Sequence, residues 1–329
     1  ADDVVYADLT TGSGTFDQGE YYFCGLIEGD YKLTYTSPTN LTPTRTDQGG
    51  DDELDSDGAI TGMDLSMVME TFTIEDVTDL PQGEGGNGDE GNVVGTFPDE
   101  QTDETHDQGF ACLDYGDLPQ DDTPDSNDDF STTMMDGGAV HVVIPGLSLG
   151  ATVECDLDGT PTNDASGDGA EEDGVSFTSP LIPGNEACIT VDAVNTTGSD
   201  ATLQAWIDWD NSGTLDADEE LTFTNGGTVA DGGVVDGQFC FDVPADAVFN
   251  DGMVFARFRL SPTGGLDANG PDKFDDTSVV PQGEVEDYKA NVAKIGNYVW
   301  EDYNYDGLQD AAEPAINGVE VQLTWAGPD

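Results

Sequence analysis

The 329-residue chain is expected to be all-β, built from sandwich or barrel modules. Three observations carry that expectation. No long apolar repeat of helical period runs through it. Its 42 Gly and 16 Pro interrupt short β-rich runs, as turns do between the strands of sandwiches and barrels. Apolar and polar residues alternate in runs such as Tyr31-Lys32-Leu33-Thr34-Tyr35, which puts one face of a strand inward and the other outward.

In chain order the expected strands are Val4–Leu9, Glu20–Leu26, Tyr31–Ser37, Met69–Glu75, Val140–Ile144, Val175–Thr178, Ala187–Val194, Thr202–Asp208, Gln238–Val243, Met253–Leu260, Val285–Val292, Ile295–Trp300 and Gly318–Trp325. Between them lie long acidic loops. The most linker-like stretch is Gly83–Asn92, and a second boundary is expected near Ala293-Lys294-Ile295. This divides the chain into residues 1–92, 93–294 and 295–329.

Seventy Asp and Glu face 7 Lys and Arg, a formal net charge of −63. Such self-repulsion opposes compaction, yet apolar residues make up 36% of the chain, too many and too well patterned for disorder. The charge excludes nucleic acid as a partner and disfavours an anionic membrane surface. No apolar stretch is long enough to span a bilayer. Ala1-Asp2-Asp3 lacks the basic, apolar start of a signal peptide, so a mature or internal segment is expected.

The acids are not spread evenly. Asp302-Tyr303-Asn304-Tyr305-Asp306-Gly307-Leu308-Gln309-Asp310-Ala311-Ala312-Glu313 fits the twelve-residue calcium loop, with oxygens at positions 1, 3, 5, 7, 9 and 12 and Gly at 6. Asp302, Asn304, Asp306, Asp310 and Glu313 would offer side chains, and Leu308 its carbonyl. Asp208, Asp210, Ser212, Asp216 and Glu219 repeat the pattern, with Thr214 in the carbonyl role and Gly213 in register. A hard cation needs several oxygens converging from one short segment, which this alternation provides. Neither loop has flanking helices, so these are ligand loops joining strands. Further candidates are Asp47, Asp51, Asp55 and Asp57 on one Gly-containing loop; Asp173, in a cluster with Asp168, Glu171 and Glu172; and Glu286 and Asp287, which follow Glu284. Calcium is the expected cofactor.

Five cysteines show no C-x-x-C spacing, which disfavours zinc and redox motifs. In an extracellular β protein they are expected to form disulfides. Cys188 and Cys240 sit in similar strands and are paired; Cys112 with Cys155 is the companion expectation, and Cys24 is left over. Catalysis is not expected. His106 and His141 are the only histidines, the first expected to be exposed and the second packed, and neither G-x-S-x-G nor H-E-x-x-H occurs.

Two resemblances extend this reading. Residues 295–329, with Trp300, Asp302, Asp310, Glu313-Pro314 and Gly318-Val319-Glu320-Val321, resemble the opening of a serine-aspartate-repeat adhesin B-type (SdrD B-like) module. Residues from about 15 to 80, with Tyr22-Phe23-Cys24-Gly25-Leu26, Gly29-Asp30-Tyr31 and Asp47 to Asp57, resemble its close. The likeness implies a calcium-stabilised, Greek-key-like sandwich used as a stiff spacer. Residues from about 110 to 292 resemble a GEVED domain, on Gly283-Glu284-Val285-Glu286-Asp287-Tyr288, Asp114 to Pro119, His141, Glu172 to Val175 and Ala205 to Asp208. That implies a β-sandwich of secreted bacterial proteins.

The expectation is therefore a tandem of Greek-key or Ig-like sandwiches, one of them split across the termini. The chain would be a calcium-stabilised repeat of a secreted or cell-surface stalk or filament, its partners identical neighbours completing the split sandwich head to tail. Other surface proteins or glycans are further candidate partners, since the rival reading is an adhesive or glycan-binding accessory module.

Overall fold

A computed structural model describes residues 11, 19, 21, 23, 26, 29–37, 40–46, 56, 58–60, 67–74, 106–120, 130–249, 253–270, 280–292, 298–322 and 324. Expected strand Val4–Leu9, most of Glu20–Leu26, and the candidate ligands Asp47, Asp51, Asp55 and Asp57 lie outside the described residues.

All regular structure described is β-strand apart from two single-turn 3₁₀ segments, Met134–Asp136 and Ala217–Glu219. The centre is a two-sheet sandwich. One sheet holds β7 (Leu147–Leu149), β8 (Val175–Phe177), β9 (Glu186–Asn195) and β12 (Gly233–Asp242), with β9 pairing with the other three. The facing sheet runs β11 (Thr228–Val229), β10 (Ala201–Ile207), β13 (Met253–Ser261), β14 (Glu284–Asn291). Every pairing is antiparallel.

Period-two alternation explains the core directly. Ala187, Ile189, Val191 and Ala193 of β9, with Phe239 and Phe241 of β12, meet Leu203, Ala205 and Ile207 of β10 and Val254, Ala256, Phe258 and Leu260 of β13. At about 1.5–3 kcal/mol for each large side chain removed from water, this layer is the main favourable contribution to the sandwich. The opposite face of β10 and β13 is covered as well. Trp206 packs with Leu118, Phe130 and Ala165 under a second, smaller core, and Arg257 and Arg259 are buried on the same side.

There are two smaller sheets. β2 (Leu41–Pro43), β5 (Phe110–Tyr115) and β6 (Val140–Val142) form one, in which a strand from the N-terminal stretch pairs with a strand leading into the sandwich. The other runs β1 (Gly29–Thr36), β4 (Met67–Ile74), β3 (Ala59–Ile60). Short strands β2, β3, β5, β7 and β11 were not expected from the sequence, because two to six residues leave too little alternation to read. In the other direction, residues 298–300 and 318–322 form no strand; Trp300 makes only an isolated antiparallel bridge to Ala315.

Both expected disulfides are present, Cys112–Cys155 and Cys188–Cys240. The second joins residues directly opposite each other on β9 and β12. Both histidines are tied down. His141 is buried, and its Nε2 accepts the Arg259 Nε–H at 2.9 Å; burial and that guanidinium hold its pKa well below the usual value. His106 corrects an expectation. Instead of lying exposed it is 17% accessible, pairs with Glu70 at 2.5 Å and lies against the Phe72 ring, because β4 carries both partners beneath it.

A non-reduced proteolytic digest should yield the two cystine-linked peptides and no cross-pairing. Loops of 43 and 52 residues correspond to about 4 kcal/mol each in the chain-entropy limit. Reduction should therefore lower the thermal midpoint substantially, read by circular dichroism.

Candidate metal centres

The two twelve-residue loops fold alike, hydrogen bond for hydrogen bond. At position 1 the Asp208 carboxylate accepts the N–H groups of Ser212 (2.9 Å) and Gly213 (3.1 Å). Asp302 accepts those of Asp306 (3.3 Å) and Gly307 (2.8 Å). At position 3 Asp210 and Asn304 each accept the N–H of position 5. At position 12 Glu219 accepts from Trp209 and Asp216, and Glu313 accepts from Tyr303 and Asp310. Glycine is required at position 6, where Gly213 and Gly307 have φ of +80° and +76°. The chain thus turns back on itself with its acidic side chains drawn inward.

Their surroundings differ. Asp208, Asp210 and Glu219 bring ligating oxygens within 4.8 Å of one another. Asp208 and Glu219 are buried beside the core; burial raises the Asp208 pKa and pushes Glu219 up to about 7. The Asp302 loop is exposed except for half-buried Asp302 and buried Glu313, and the Gly307 N–H lowers the Asp302 pKa. Here the Asn304 amide donates to Asp306 and Asp310 at 3.0 and 3.1 Å, giving those carboxylates some of the positive potential a cation would supply. An all-oxygen donor set on a tight loop fits a hard divalent ion in both cases. The expected ligands Ser212 and Thr214 lie together, their hydroxyl oxygens 3.0 Å apart.

β14 arranges its acids differently. Alternation sends Glu284 and Glu286 toward the facing sheet and Asp287 to the other side. Glu284 accepts the Leu149 N–H, and Glu286 accepts those of Asp173 and Gly174 at 3.1 and 2.9 Å and the Tyr288 hydroxyl at 3.0 Å. Asp287 receives Arg257 through two nitrogens at 2.8 Å each, plus the N–H groups of Asp117 and Leu118. Asp287, expected as a metal ligand, thus has a guanidinium against both of its oxygens. Glu286 and Asp173 likewise serve backbone donors, Asp173 accepting from Ala151 at 2.9 Å.

Six further acids gather where the connection between β7 and β8 meets the segment of β5 and the residues after it. Asp114, Asp156 and Glu171 form one group and Asp117, Asp168 and Glu172 another, each with ligating oxygens within 4.8 Å. Of these, Asp168, Glu171 and Glu172 were noticed in the sequence as a cluster. Asp114, Asp117 and Asp156 were not seen as part of it, since Asp156 precedes the cluster by a dozen residues and only folding brings in Asp114 and Asp117 from more than fifty positions away. Burial pushes Asp117 up to about 8, Asp168 to about 7 and Glu172 to about 12, and raises Asp114 well above the usual range.

This architecture defines a class: β-sandwich modules whose strands are joined by oxygen-rich ligand loops. Residues 2–80 and 293–328 match the SdrD B-like domain, and residues 202–291 match the GEVED domain. The chain therefore carries an SdrD B-like domain in two pieces flanking a GEVED domain. Serine-aspartate repeat-containing protein D of Staphylococcus aureus (strain MW2) is 26% identical over 343 residues, covering 93% of this chain and 24% of that protein. Serine-aspartate repeat-containing protein F of Staphylococcus epidermidis is 24% identical, covering 94% of this chain and 19% of that protein. The chain thus spans a quarter or less of the length of these relatives. No solved structure matches it.

Replacing Arg257 by Met should cost about 3–5 kcal/mol in urea unfolding, because Asp287 is left buried and uncompensated; Arg257→Met with Asp287→Leu should recover much of that loss. The raised carboxylate pKa values also set a pH dependence. Groups that hold protons in the folded state but not in the unfolded one stabilise below the unfolded values near 4, and that contribution fades as pH rises through about 7 to 8. In chelator the protein should melt higher at about pH 5.5 than at about pH 8, and excess calcium should reduce the difference.

Proposed function

We propose that this chain is a calcium-braced structural repeat of a secreted or cell-surface bacterial stalk or filament, with neighbouring copies joined where one completes the SdrD B-like sandwich of the next. The observation that carries the reading is the uncovered apolar surface of the C-terminal piece. Ile316, Val319 and Val321 are 41%, 47% and 77% exposed, and residues 318–322 pair with no strand among the described residues. Alternating apolar residues without a sheet to lie on are what a module lacking its remaining strands presents. The N-terminal piece, 2–80, matches the same domain type as 293–328, which supports the reading that a second copy supplies the complementary part.

Calcium has a mechanical task in this scheme. Each ion offsets two of the charges that repel one another in a −63 chain and draws a strand-connecting loop into one shape. Ligands that bind only the folded form stabilise it by mass action, about 2.7 kcal/mol per site at one hundred times Kd. The similarity to serine-aspartate repeat-containing proteins supports a place on the cell surface, and the two disulfides suit an oxidising compartment.

The test is a fusion of two consecutive copies compared with a single copy. The fusion should show an additional calcium-dependent unfolding transition from the completed sandwich at the junction, and excess chelator should remove it and lower the thermal midpoint of the rest. A fusion that melts as two independent single copies, or a midpoint unchanged in chelator, would overturn the proposal.

A further inference from the structure

We propose that Asp117, Asp168 and Glu172 form a divalent cation site, chemically a calcium site, where the β7–β8 connection meets the end of β5, separate from the two twelve-residue loops. It rests on the reading that the chain works with calcium, and it adds an internal site to the strand-end ones.

Three carboxylates with ligating oxygens within 4.8 Å of one another are brought together from distant positions. Asp117 follows β5, whereas Asp168 and Glu172 come from the connection between β7 and β8. Asp117 is completely buried, and its Oδ1 has no hydrogen-bond partner. Asp168 Oδ2 and Glu172 Oε2 are likewise buried and unpartnered. One oxygen on each residue is therefore left over. On the two aspartates the other oxygen is spoken for: Asp117 Oδ2 accepts the N–H groups of Gly167 and Asp168, and Asp168 Oδ1 accepts the Thr160 hydroxyl. These bonds orient Asp117 and Asp168 without using their free oxygens.

The neighbouring positive charge is unavailable, because Arg257 is engaged by Asp287 through two nitrogens and by the carbonyls of Ser131 and Ala268. One buried and two half-buried carboxylates that converge while Arg257 is committed elsewhere repel one another, and a bound cation removes that repulsion. The donor set holds oxygen only, which disfavours zinc and copper. It sits on irregular backbone, which accommodates the six to eight ligands at about 2.3–2.6 Å that calcium takes more readily than the strict octahedron of magnesium. The site would tie the β7–β8 connection to the end of β5, so that one ion closes the side of the sandwich that β14 lines.

The experiment counts calcium bound by the full chain, by equilibrium dialysis, in the unmutated protein and three variants. In the first, Asp210→Ala and Ser212→Ala with Asp302→Ala and Asp306→Ala disable both loops. In the second, Asp117→Asn with Glu172→Gln is added to those. The third is the unmutated chain carrying only Asp117→Asn and Glu172→Gln. The loop-disabled protein should keep an ion that the second protein loses, and the third should bind one ion fewer than the unmutated chain. Equal stoichiometry with and without Asp117→Asn and Glu172→Gln would overturn the site while leaving the loop reading intact; failure of the loop reading shows instead as no loss of calcium on disabling the loops. Should the substituted proteins misfold, anomalous scattering from a crystal of the unmutated chain grown with calcium decides. A peak among the three carboxylates upholds the site, and peaks confined to the loops overturn it.

Discussion

A carboxylate turned into a protein interior has to be met by something positive, and this sandwich depends on how that demand is satisfied. Along β14 the answer is mostly backbone. Glu284 takes the N–H of Leu149, Glu286 those of Asp173 and Gly174, and Asp287 those of Asp117 and Leu118 together with the fork of Arg257. A carboxylate that accepts several N–H groups is both neutralised in part and fixed in direction. One acidic strand therefore staples three separate stretches of chain to the edge of the sandwich. Space is tight where it does so: a side chain at Gly116 would collide with the Asp287 carboxylate, which explains a glycine within the run that follows β5.

The same chemistry, in a different setting, shapes the ligand loops. Their hydrogen bonds are local, from position 1 to positions 5 and 6 and from position 12 back to positions 2 and 9, so the loop can adopt its form from a dozen residues without help from the rest of the molecule. Such a unit can be placed wherever two strands need joining. Here it occurs once at the end of β10, packed against the core, and once after Trp300 in the C-terminal piece, largely in solvent. A Trp precedes the first Asp by two positions in both, Trp206 and Trp300, and in both the residue bridges to the far end of the loop, Trp206 to Glu220 and Trp300 to Ala315. The loop and its closing bridge are thus a repeated part.

Much of the fold could be read in advance where a strand was long enough to show its alternation. β1, β4, β9, β10, β12, β13 and β14 all coincide with runs recognisable from residue type alone, and the Cys188–Cys240 bridge followed from the similarity of β9 and β12. Strands of two or three residues, such as β3, β7, β8 and β11, exist because a neighbour offers hydrogen bonds; of these only β8 had a readable signal, in Val175-Ser176-Phe177. His106 was misjudged because its acidic sequence neighbours suggested solvent, whereas Glu70 and Phe72, more than thirty positions away, supply its surroundings.

By itself the sequence determined the all-β class, the two disulfides, the two domain likenesses and the common turn of the two acidic loops, since each is encoded within a short window or a spacing. Tertiary structure alone decided which acids serve which purpose. Glu286 and Asp287 look in sequence like the acids of a metal site, yet the register of β14 against β13 sets Asp287 opposite Arg257 and Glu286 beside free backbone donors. Asp168 and Glu172 stand in an acidic run that the sequence shows, yet only the fold brings Asp117 to them, with oxygens to spare. Charge is a property of the residue, but what compensates it is a matter of which distant groups the fold brings within a few ångströms.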